Sequence, residues 1–510
     1  MSRRTVGLLC LPLLLCTLLS VQSRAETLQR YQVEARDGNS LVLPEPLLPD
    51  ISGYTREAID QRLMAVRQSA QATPVIEIRR MFGEVTLDDF TAGERTREWA
   101  IRQYSNPTAI FVKSGLVTLE QLSQQLHAPE YFSYVGKGTY LARLPVVIEA
   151  GATLLLDQQE TLHLSQQGGA FLVVAGKLFV RSSTIIGWDE KNRSPSAFKG
   201  KDQFRPFLTS WGGSEMYLLD STFSSLGYDQ SKSYGISVSQ YSADINDELK
   251  LPSPVAWIIG STFIDIYYGF YCYEARGLVL LRNQYIDNVV YGIDPHDRSS
   301  ELIIGYNEVR GSHKKHGIIV SREVNNSWIF NNVSHDNNLS GIVIDRSSVD
   351  NVIANNISHN NLSDGITIYE SPNNLLWGNN IYANGKHGIR MRNSTNISIY
   401  NNRILANSGY GVYGDVKDLS DTNRNTKLDP YDSKLSMVLY GGSLIANKAG
   451  PFLMDQPLSM EIFNVDMRFS EESLASGSDN VFFRFHTEIL NILVRDKKAV
   501  VVRPYLEGEG

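Results

Sequence analysis

The feature that most constrains the fold of this chain is a repeat of about two dozen residues. Glycines that each open a short apolar alternation recur with spacings of 25, 24, 24, 23 and 23 residues, at Gly292, Gly317, Gly341, Gly365, Gly388 and Gly411. Asparagines keep the same period, at Asn283, Asn307, Asn331, Asn355, Asn379 and Asn401. A fixed period of roughly 20–50 residues is typical of solenoid proteins, in which each repeat buries its apolar face against its neighbours.

The segments that follow these glycines have the pattern of β-strands. In residues 317–321 and 341–345, apolar β-branched side chains occupy the first and third positions after the glycine. This period of two predicts strands rather than helices, and residues 351–354 predict a second strand per repeat. The sequence therefore predicts an all-β fold: a right-handed parallel β-helix with 23–25 residues and three short strands per coil. Coils would stack about 4.8 Å apart, and stacked asparagines would form hydrogen-bonded ladders.

The alternation also predicts which side chains share an outer surface. If positions one and three point inward, positions two and four form two columns on one sheet. Their members are Tyr271 and Tyr273, Asp294 and His296, Ile319 and Ser321, Val343 and Asp345, Thr367 and Tyr369, Arg390 and Arg392, and Tyr413 and Asp415. The fifth position adds Asp297, Arg322, Arg346 and Glu370. Aromatic rings pack on sugar faces and guanidinium groups bind carboxylates bidentately, so this strip suits an extended anionic sugar polymer. The alternative is that these side chains form an ordinary solvent-exposed surface with no binding role.

One short stretch carries a family resemblance. Residues 291–299 read YGIDPHDRS, and Arg322 follows one coil later, within repeats of HGI, SGI or DGI and Asn-Asn pairs. This combination resembles the periplasmic mannuronan C5-epimerases of bacterial alginate biosynthesis, over residues from about 145 to about 450. The DPHD cluster is the specific part, because other carbohydrate-binding and sugar-hydrolase β-helices share the repeat.

The resemblance implies conversion of D-mannuronate to L-guluronate units at C5 within polymeric alginate. The proton alpha to the carboxylate leaves and a proton returns on the other face, so a base, an acid and a cation on the carboxylate are needed. His296 suits the base, because its ordinary pKa lies near neutral, and Arg322 suits the carboxylate. Asp294 and Asp297 would orient or polarise the imidazole. Water or a tyrosine, such as Tyr271 or Tyr273, would return the proton.

The predicted substrate-binding residues lie on the same strip. They are Tyr271, Tyr273, Arg298, Asp345, Arg346, Tyr369, Arg390 and Arg392. A polysaccharide lyase would use the same base and cation but expel the 4-O group, and a non-catalytic scaffold of a polysaccharide export complex would need only the strip. A hydrolase fits less well, because a histidine-centred cluster is not the paired-carboxylate arrangement of glycoside hydrolysis.

The chain divides into four predicted parts. Residues 1–25 have the basic start, apolar run and small-residue end of a cleavable secretory signal, which places the protein in the periplasm. Residues 26–145 are non-repetitive, form an N-terminal extension and cap, and contain helix candidates at 55–71 and 118–126. Residues 146–450 form the β-helix with its groove, and 451–510 form final strands and a cap. An insertion at 241–254 predicts a loop beside the groove, either a lid or a disordered bulge.

The charge composition limits the classes of partner that the chain can bind. The chain has 48 Lys+Arg and 55 Asp+Glu; without Arg3, Arg4 and Arg24 of the signal the counts are 45 and 55, a net charge of −10. This acidity argues against nucleic acid, and local cations must bind an anionic polyuronate. Other proteins of an export complex are possible partners. No stretch after the signal is apolar and long enough for a transmembrane span.

The remaining predictions concern cysteine, metal and other histidines. Cys272 is the one cysteine beyond the signal, so we expect a buried thiol and no intrachain disulfide. The reaction requires no cofactor. Asp421, Asn423, Asn425 and Asp432, with Asp429, resemble calcium-loop spacing, but Thr426 stands where such loops need glycine, so a polar surface loop is the default. His335 and His359 occupy equivalent repeat positions and predict a structural stack.

Overall fold

A computed structural model describes residues 31–38, 45–69, 73–81, 99–103, 107–422, 424–427, 429–469 and 481–505. The predicted signal sequence, residues 1–25, lies outside the described residues, and so does Asn423 of the predicted calcium loop. The described chain folds into a right-handed parallel β-helix, which confirms the predicted fold class.

The coils build three faces of parallel strands, except that Phe132–Gly136 pairs antiparallel with Thr139–Ala142. Face 1 contains Ala152–Leu156, Lys177–Arg181, Glu215–Leu219, Val255–Ile259, Val279–Leu281, Ile303–Gly305, Trp328–Phe330, Val352–Ala354, Leu375–Trp377, Ile397–Tyr400, Ser436–Tyr440 and Ser459–Phe463. Face 2 contains Val146–Ile148, Leu172–Val174, Leu208–Ser210, Gly235–Ser239, Tyr268–Tyr273, Tyr291–His296, Ile318–Ser321, Ile342–Asp345, Ile366–Tyr369, Ile389–Arg392, Tyr410–Asp415 and Gly450–Met454. Face 3 contains Phe132–Gly136, Thr139–Ala142, Thr161–Ser165, Thr184–Asp189, Thr222–Ser224, Thr262–Ile264, Gln284–Ile286, Glu308–Arg310, Val333–His335, Ile357–His359, Asn380–Tyr382, Arg403–Leu405, Ser443–Ile445 and Asp466–Arg468, and the short strand Ser194–Pro195 pairs with Thr184–Asp189.

Face 2 carries the two predicted columns in the predicted register. Tyr273 pairs with His296, His296 with Ser321, and Ser321 with Asp345. The same column continues through Tyr369 to Arg392 and Asp415. First- and third-position side chains such as Ile293 are fully buried in the core. The alternation after each glycine therefore determines which side chains reach the outer surface.

Asparagine ladders line the turns between the coils, as predicted. In one ladder, each side-chain oxygen accepts a hydrogen bond of 2.9–3.0 Å from the backbone N–H of the asparagine one coil earlier. Its members are Asn283, Asn307, Asn332, Asn356, Asn379 and Asn402. In three coils the ladder residue is therefore one position later than the repeat predicted. Asn331, Asn355 and Asn401 instead adopt the left-handed conformation, with φ of 52°, 56° and 55°.

Helices lie outside the coils. Among the described residues they are α1 (Arg56–Ser69), α2 (Leu119–Leu126), α3 (Ala243–Leu249) and α4 (Val481–Leu490), with a 3₁₀ turn at Ile101–Gln103 and a π-helical turn at Asn491–Arg495. The two helix candidates of the N-terminal region are confirmed as α1 and α2. Thr55 Oγ1 accepts a hydrogen bond of 3.2 Å from the backbone N–H of Ala58, and Thr118 forms a capping box with Gln121. No helix among the described residues is long and apolar enough to cross a membrane.

The described strands of the N-terminal extension pair at both ends of the β-helix. Strand Tyr31–Arg36 pairs with Ala499–Pro504, which itself pairs with Ser459–Phe463 at the last coils. Strand Val75–Arg80 pairs instead with Thr108–Thr118 at the first coils. The extension therefore runs along face 1 from the last coils to the first.

Contacts along the way support this path, because Ile51 packs against face 1 and α1 packs Ile59 and Leu63 on it. Strand Thr108–Thr118 pairs in parallel with Val146–Ile148 and Ala152–Leu156, so the coils begin before the predicted boundary at residue 146.

Candidate active site

A groove of about 1390 Å³ lies over face 2. The outer columns form its floor. The segment 231–245 forms part of one wall, and Ser242 and Ile245 of the predicted insertion line it. The insertion therefore flanks the groove, and α3 forms within it in place of a disordered bulge. The segment 417–429 contributes a further part of the lining, including Arg424 and Asp429.

The DPHD cluster lies in the floor of this groove, at the end of strand Tyr291–His296. Pro295 is buried, whereas His296 and Asp297 line the groove, as the alternation requires. His296 Nδ1 lies 2.5 Å from Asp297 Oδ2, which leaves Nε2 available to a ligand in the groove. Asp297 Oδ1 lies 3.6 Å from Arg322 Nη1. The predicted base, its carboxylate partner and the predicted cation are thus in one cluster.

The charges of this cluster reinforce one another. Burial alone would lower the pKa of His296, but the hydrogen bond to Asp297 and the negative charges of Asp294 and Asp297 outweigh it and raise the pKa. Burial would likewise raise the pKa of Asp297, but the hydrogen bond with His296 and the charges of His296, Arg322 and Arg298 lower it. Asp297 therefore stays ionised beside an imidazole whose positive form it stabilises.

Asp294 has a different environment. Its side chain is 3% exposed, and its Oδ1 atom makes no hydrogen bond with the residues that the structure describes. Burial raises the pKa of this carboxyl to about 7, against the opposing charges of His296 and Lys315. Asp294 is therefore a carboxyl group that gains or loses its proton near neutral pH, next to the predicted base.

The predicted substrate-binding residues are mostly, but not all, in the groove. Those that line it are Tyr271, Tyr273, Arg298, Asp345, Arg346, Tyr369 and Arg392. Arg390 does not line it and pairs with Asp415 at 3.1 Å. Tyr271 is only 8% exposed, and burial raises its pKa well above the ordinary value.

Several groove residues were missed by sequence reasoning. Lys315 donates a hydrogen bond of 3.1 Å to the Tyr291 hydroxyl and lines the groove near Asp294. Arg424 and Asp429 enter the groove from the segment that the sequence predicted as a polar surface loop, with calcium binding as the alternative. Lys315 lies just before a repeat glycine, outside the alternating positions, so the periodicity gave no signal for it.

The calcium prediction is not confirmed. The Asn425 side chain accepts a hydrogen bond from the Lys427 backbone, and Asp432 pairs with Lys434 at 3.7 Å. Asp429 is directed to Arg322 and Arg346 instead. Within the described ranges, no group of three or more His, Cys, Asp or Glu side chains is arranged to hold a metal ion.

Two structural predictions outside the catalytic cluster are confirmed. His335 and His359 stack on face 3 with ring centroids 4.8 Å apart and planes within 5°. Cys272 is a buried free thiol, and burial raises its pKa to about 12.

Comparison with known proteins gives close relatives. A curated protein of Azotobacter vinelandii, named mannuronan C5-epimerase AlgG, is 48% identical over 490 residues, covering 95% of this chain and 92% of the relative. Mannuronan C5-epimerase of Pseudomonas aeruginosa is 50% identical over 476 residues, covering 93% and 87%. The crystal structure of the periplasmic alginate epimerase AlgG is 45% identical, with a TM-score of 0.80, and covers 84% of this chain and 100% of that chain.

A family model also matches part of the chain. The model described as periplasmic copper-binding protein (NosD) matches residues 230–427. That region consists mainly of coils of the β-helix and includes the lining of the groove except Asp429. It covers less than half of the chain, whereas the curated relatives match nearly all of it.

Proposed function

The chain belongs to the mannuronan C5-epimerase family, and we propose that the groove on face 2 is its active site, with His296 as the base and Arg322 as the partner of the substrate carboxylate. The enzyme is an isomerase that converts D-mannuronate to L-guluronate units within polymeric mannuronan. The lyase alternative is not favoured, because the relatives are named epimerases. The observation that carries the assignment is the contact of Asp297 with both His296 and Arg322.

The proposed step is a proton exchange at C5. His296 Nε2 takes the C5 proton, and the electron pair of the broken C–H bond is delocalised into the substrate carboxylate. An ionised carboxylate does not readily accept a second negative charge. Arg322 stabilises that charge with its guanidinium group. Asp297 holds the imidazole through Nδ1 and stabilises the imidazolium that forms. A proton from water or from Tyr273 then arrives on the opposite face, so C5 inverts and every other bond is kept.

The polymer lies along the groove in this proposal. Cationic groups from successive coils, Arg298, Arg322, Arg346 and Arg392, face its carboxylates, and Tyr273 and Tyr369 pack against sugar rings. Such local cations allow an acidic protein to bind an anionic polymer. The chemistry requires no cofactor, because removal and return of a proton change no oxidation state.

We also propose the periplasm as the site of action, as for the solved relative, with residues 1–25 acting as the signal. An epimerase in that compartment would act on mannuronan during its export. Docking to other proteins of the export complex is part of this proposal, and pull-down of the purified chain with the export proteins tests it.

The function is tested with purified protein and poly-mannuronate in deuterated water, followed by proton NMR. We expect guluronate signals in which C5 carries deuterium, because the returning proton is drawn from solvent. An unsaturated uronate product would show β-elimination and contradict the assignment. Polymer binding without any new product would also contradict it and identify a scaffold.

A further inference from the structure

A long connection crosses the groove from the C-terminal side. Tyr410 pairs with Gly450, a step of 40 residues, whereas Ile389 pairs with Val412, a step of 23 residues. The described parts of this connection, 417–422, 424–427 and 429–432, turn back toward earlier coils. Asp429 reaches Arg322, which follows a strand four coils before Tyr410–Asp415. At about 4.8 Å per coil, the connection spans roughly 19 Å of the groove.

Arg424 fixes this connection to face 2. Its Nη1 atom donates a hydrogen bond of 2.7 Å to Glu370 Oε2, and Arg392 Nε donates one of 2.7 Å to Glu370 Oε1. The side chains of Glu370 and Arg424 are 1% and 7% exposed. Charge-assisted hydrogen bonds at such burial are strong, and loss of one partner leaves a buried charge unpaired. The connection is therefore held rigidly at this point.

The same guanidinium also places Asp429. Arg424 Nε donates a hydrogen bond of 2.8 Å to the backbone oxygen of Asp429. The Asp429 carboxylate then lies 3.6 Å from Arg322 Nε and 3.7 Å from Arg346 Nη1. Glu370, Arg424 and Asp429 thus form a chain of contacts that ends between two cations of the groove.

The contact between Asp429 and Arg322 is an ion pair rather than a hydrogen bond. Within the described residues, the buried Arg322 Nε has no hydrogen-bond partner. The guanidinium is therefore held by charge, between Asp297 and Asp429, while its Nε–H donor is still unused. The side chain of Arg322 as a whole is 40% exposed, so other parts of it stay open to the groove for a substrate carboxylate.

We propose that Asp429 and Arg424 are positioning residues for the epimerase reaction. Asp429 holds Arg322 and Arg346 side by side against their mutual repulsion, and Arg424, which Glu370 anchors, holds Asp429 directly. A guanidinium that is already in place stabilises the charge that develops on the substrate carboxylate more than a mobile one does. This proposal rests on the proposed role of Arg322.

The test uses Asp429→Asn, which removes the charge and keeps the shape. We expect kcat to fall by about tenfold to a hundredfold, because Arg322 loses its fixed place. KM should stay equal or fall, because the groove loses a negative charge that repels the polymer. Asp432→Asn is the matched control: this aspartate lies on the same connection, is 78% exposed and pairs only with Lys434 among the described residues. The Asp432→Asn enzyme should have the kcat and the KM of the wild type.

The pH profile tests whether the charge of Asp429 acts through Arg322. His296 is faced by Asp294, Asp297 and Arg322, and Arg322 opposes the positive form of the imidazole. Without the Asp429 charge, Arg322 is less compensated and lowers the pKa of His296 further. The acidic limb of kcat/KM for Asp429→Asn should therefore move to lower pH. An acidic limb that stays in place would mean that the Asp429 charge does not act through Arg322, and would contradict the proposal.

A double-mutant cycle completes the experiment. With Arg322→Lys in the background, Asp429→Asn should cause little further loss of kcat, because the two residues act through one contact. Independent, additive losses would overturn the proposal, and so would an unchanged kcat with a raised KM. If the wild-type enzyme itself shows no epimerisation, the proposed function fails. If the wild type is active and Asp429→Asn equals Asp432→Asn, only the positioning role fails.

Discussion

Faces 2 and 3 each carry a histidine followed by an aspartate at the end of a strand, with nearly the same local geometry. On face 2, His296 Nδ1 lies 2.5 Å from Asp297 Oδ2; on face 3, His335 Nδ1 lies 2.6 Å from Asp336 Oδ2. The surroundings differ. Asp297 is 15% exposed and faces Arg322, whereas Asp336 is 59% exposed and His335 stacks on His359.

This contrast teaches that a histidine–aspartate pair is not by itself a catalytic unit. The pair on face 2 lies in the floor of a groove, beside a cation and a buried carboxyl group. The pair on face 3 lies in a column of stacked rings that continues from His359 to Tyr382 at 4.9 Å. The two histidine side chains are similarly buried, at 24% and 16% exposed, so the exposure of the aspartate and the charges beside the pair distinguish the candidate base from the structural histidine.

The largest predicted difference comes from removing each histidine. His296→Ala should lower the rate of epimerisation by on the order of 10³, within the usual range for loss of a general base. His335→Ala should leave the rate unchanged, because among the described residues its ring contacts Asp336, Glu308 and His359 on face 3, away from the groove. Formation of guluronate from poly-mannuronate, followed by proton NMR, measures both. An active His296→Ala enzyme would refute the choice of base without refuting the function.

Replacing the aspartate of each pair, Asp297 on face 2 and Asp336 on face 3, tests whether its charge distinguishes the two faces. Asp297→Asn should lower kcat by about a hundredfold, because the imidazole loses the group that holds its tautomer and stabilises its positive form. It should also lower the pKa of His296, since Asp297 raises it, so the acidic limb of kcat/KM should move to lower pH. Asp336→Asn is the control and should change neither quantity. If Asp297→Asn and Asp336→Asn had the same pH profile of kcat/KM, the two histidine–aspartate pairs would not differ in function.

The buried carboxyl group of Asp294 on face 2 should lower the stability of the folded protein as pH rises. Native Asp294 holds its proton up to about pH 7, whereas in the unfolded chain its pKa lies near the ordinary 3.8. The native state therefore binds more protons, and its stability falls as pH rises from about 4 to 7. Asp294→Asn should raise the melting temperature at pH 8, with a gain that shrinks toward pH 5. Calorimetry at both pH values measures this, and the exposed Asp350→Asn should show no such gain.

The arrangement of side chains on face 2 was largely predictable, because two spacings determine the geometry of a strand repeat. A period of two within each segment and a spacing of 23–25 residues between glycines set both the face and the register. Tyr273, His296 and Ser321 therefore appear in the sequence as neighbours, although they are more than twenty residues apart. The DPHD cluster then predicts which part of the strip carries the chemistry.

The rest could not be predicted, because it depends on contacts outside the periodicity. In an Asn-Asn pair both residues suit the turn, so the sequence does not decide whether Asn331 or Asn332 enters the ladder. Nothing local indicates that Asp429 returns over four coils to Arg322. The path of the N-terminal extension is fixed by pairing of Tyr31–Arg36 with Ala499–Pro504, at the far end of the chain.

The smallest predicted effect concerns the ring stack of face 3. His359 lies between His335 and Tyr382, with centroid distances of 4.8 and 4.9 Å, so His359→Ala removes both ring contacts. Ring pairs of this kind contribute about 0.5–1.5 kcal/mol each, so we expect a modest fall in the free energy of unfolding, with unchanged epimerisation.

The pH dependence of that fall is the sharper measurement. Burial, followed by the charge of His335, lowers the pKa of His359, so the folded protein prefers the neutral ring. The contribution of the stack is therefore fully present above the ordinary pKa of histidine, about 6.5, and is lost as pH falls through the lowered pKa. Denaturant unfolding should show a larger difference between wild type and His359→Ala at pH 8 than at pH 5. A difference that grows toward pH 5 would mean that the stack is held by charge, as the pair on face 2 is, and the contrast between the two faces would fail.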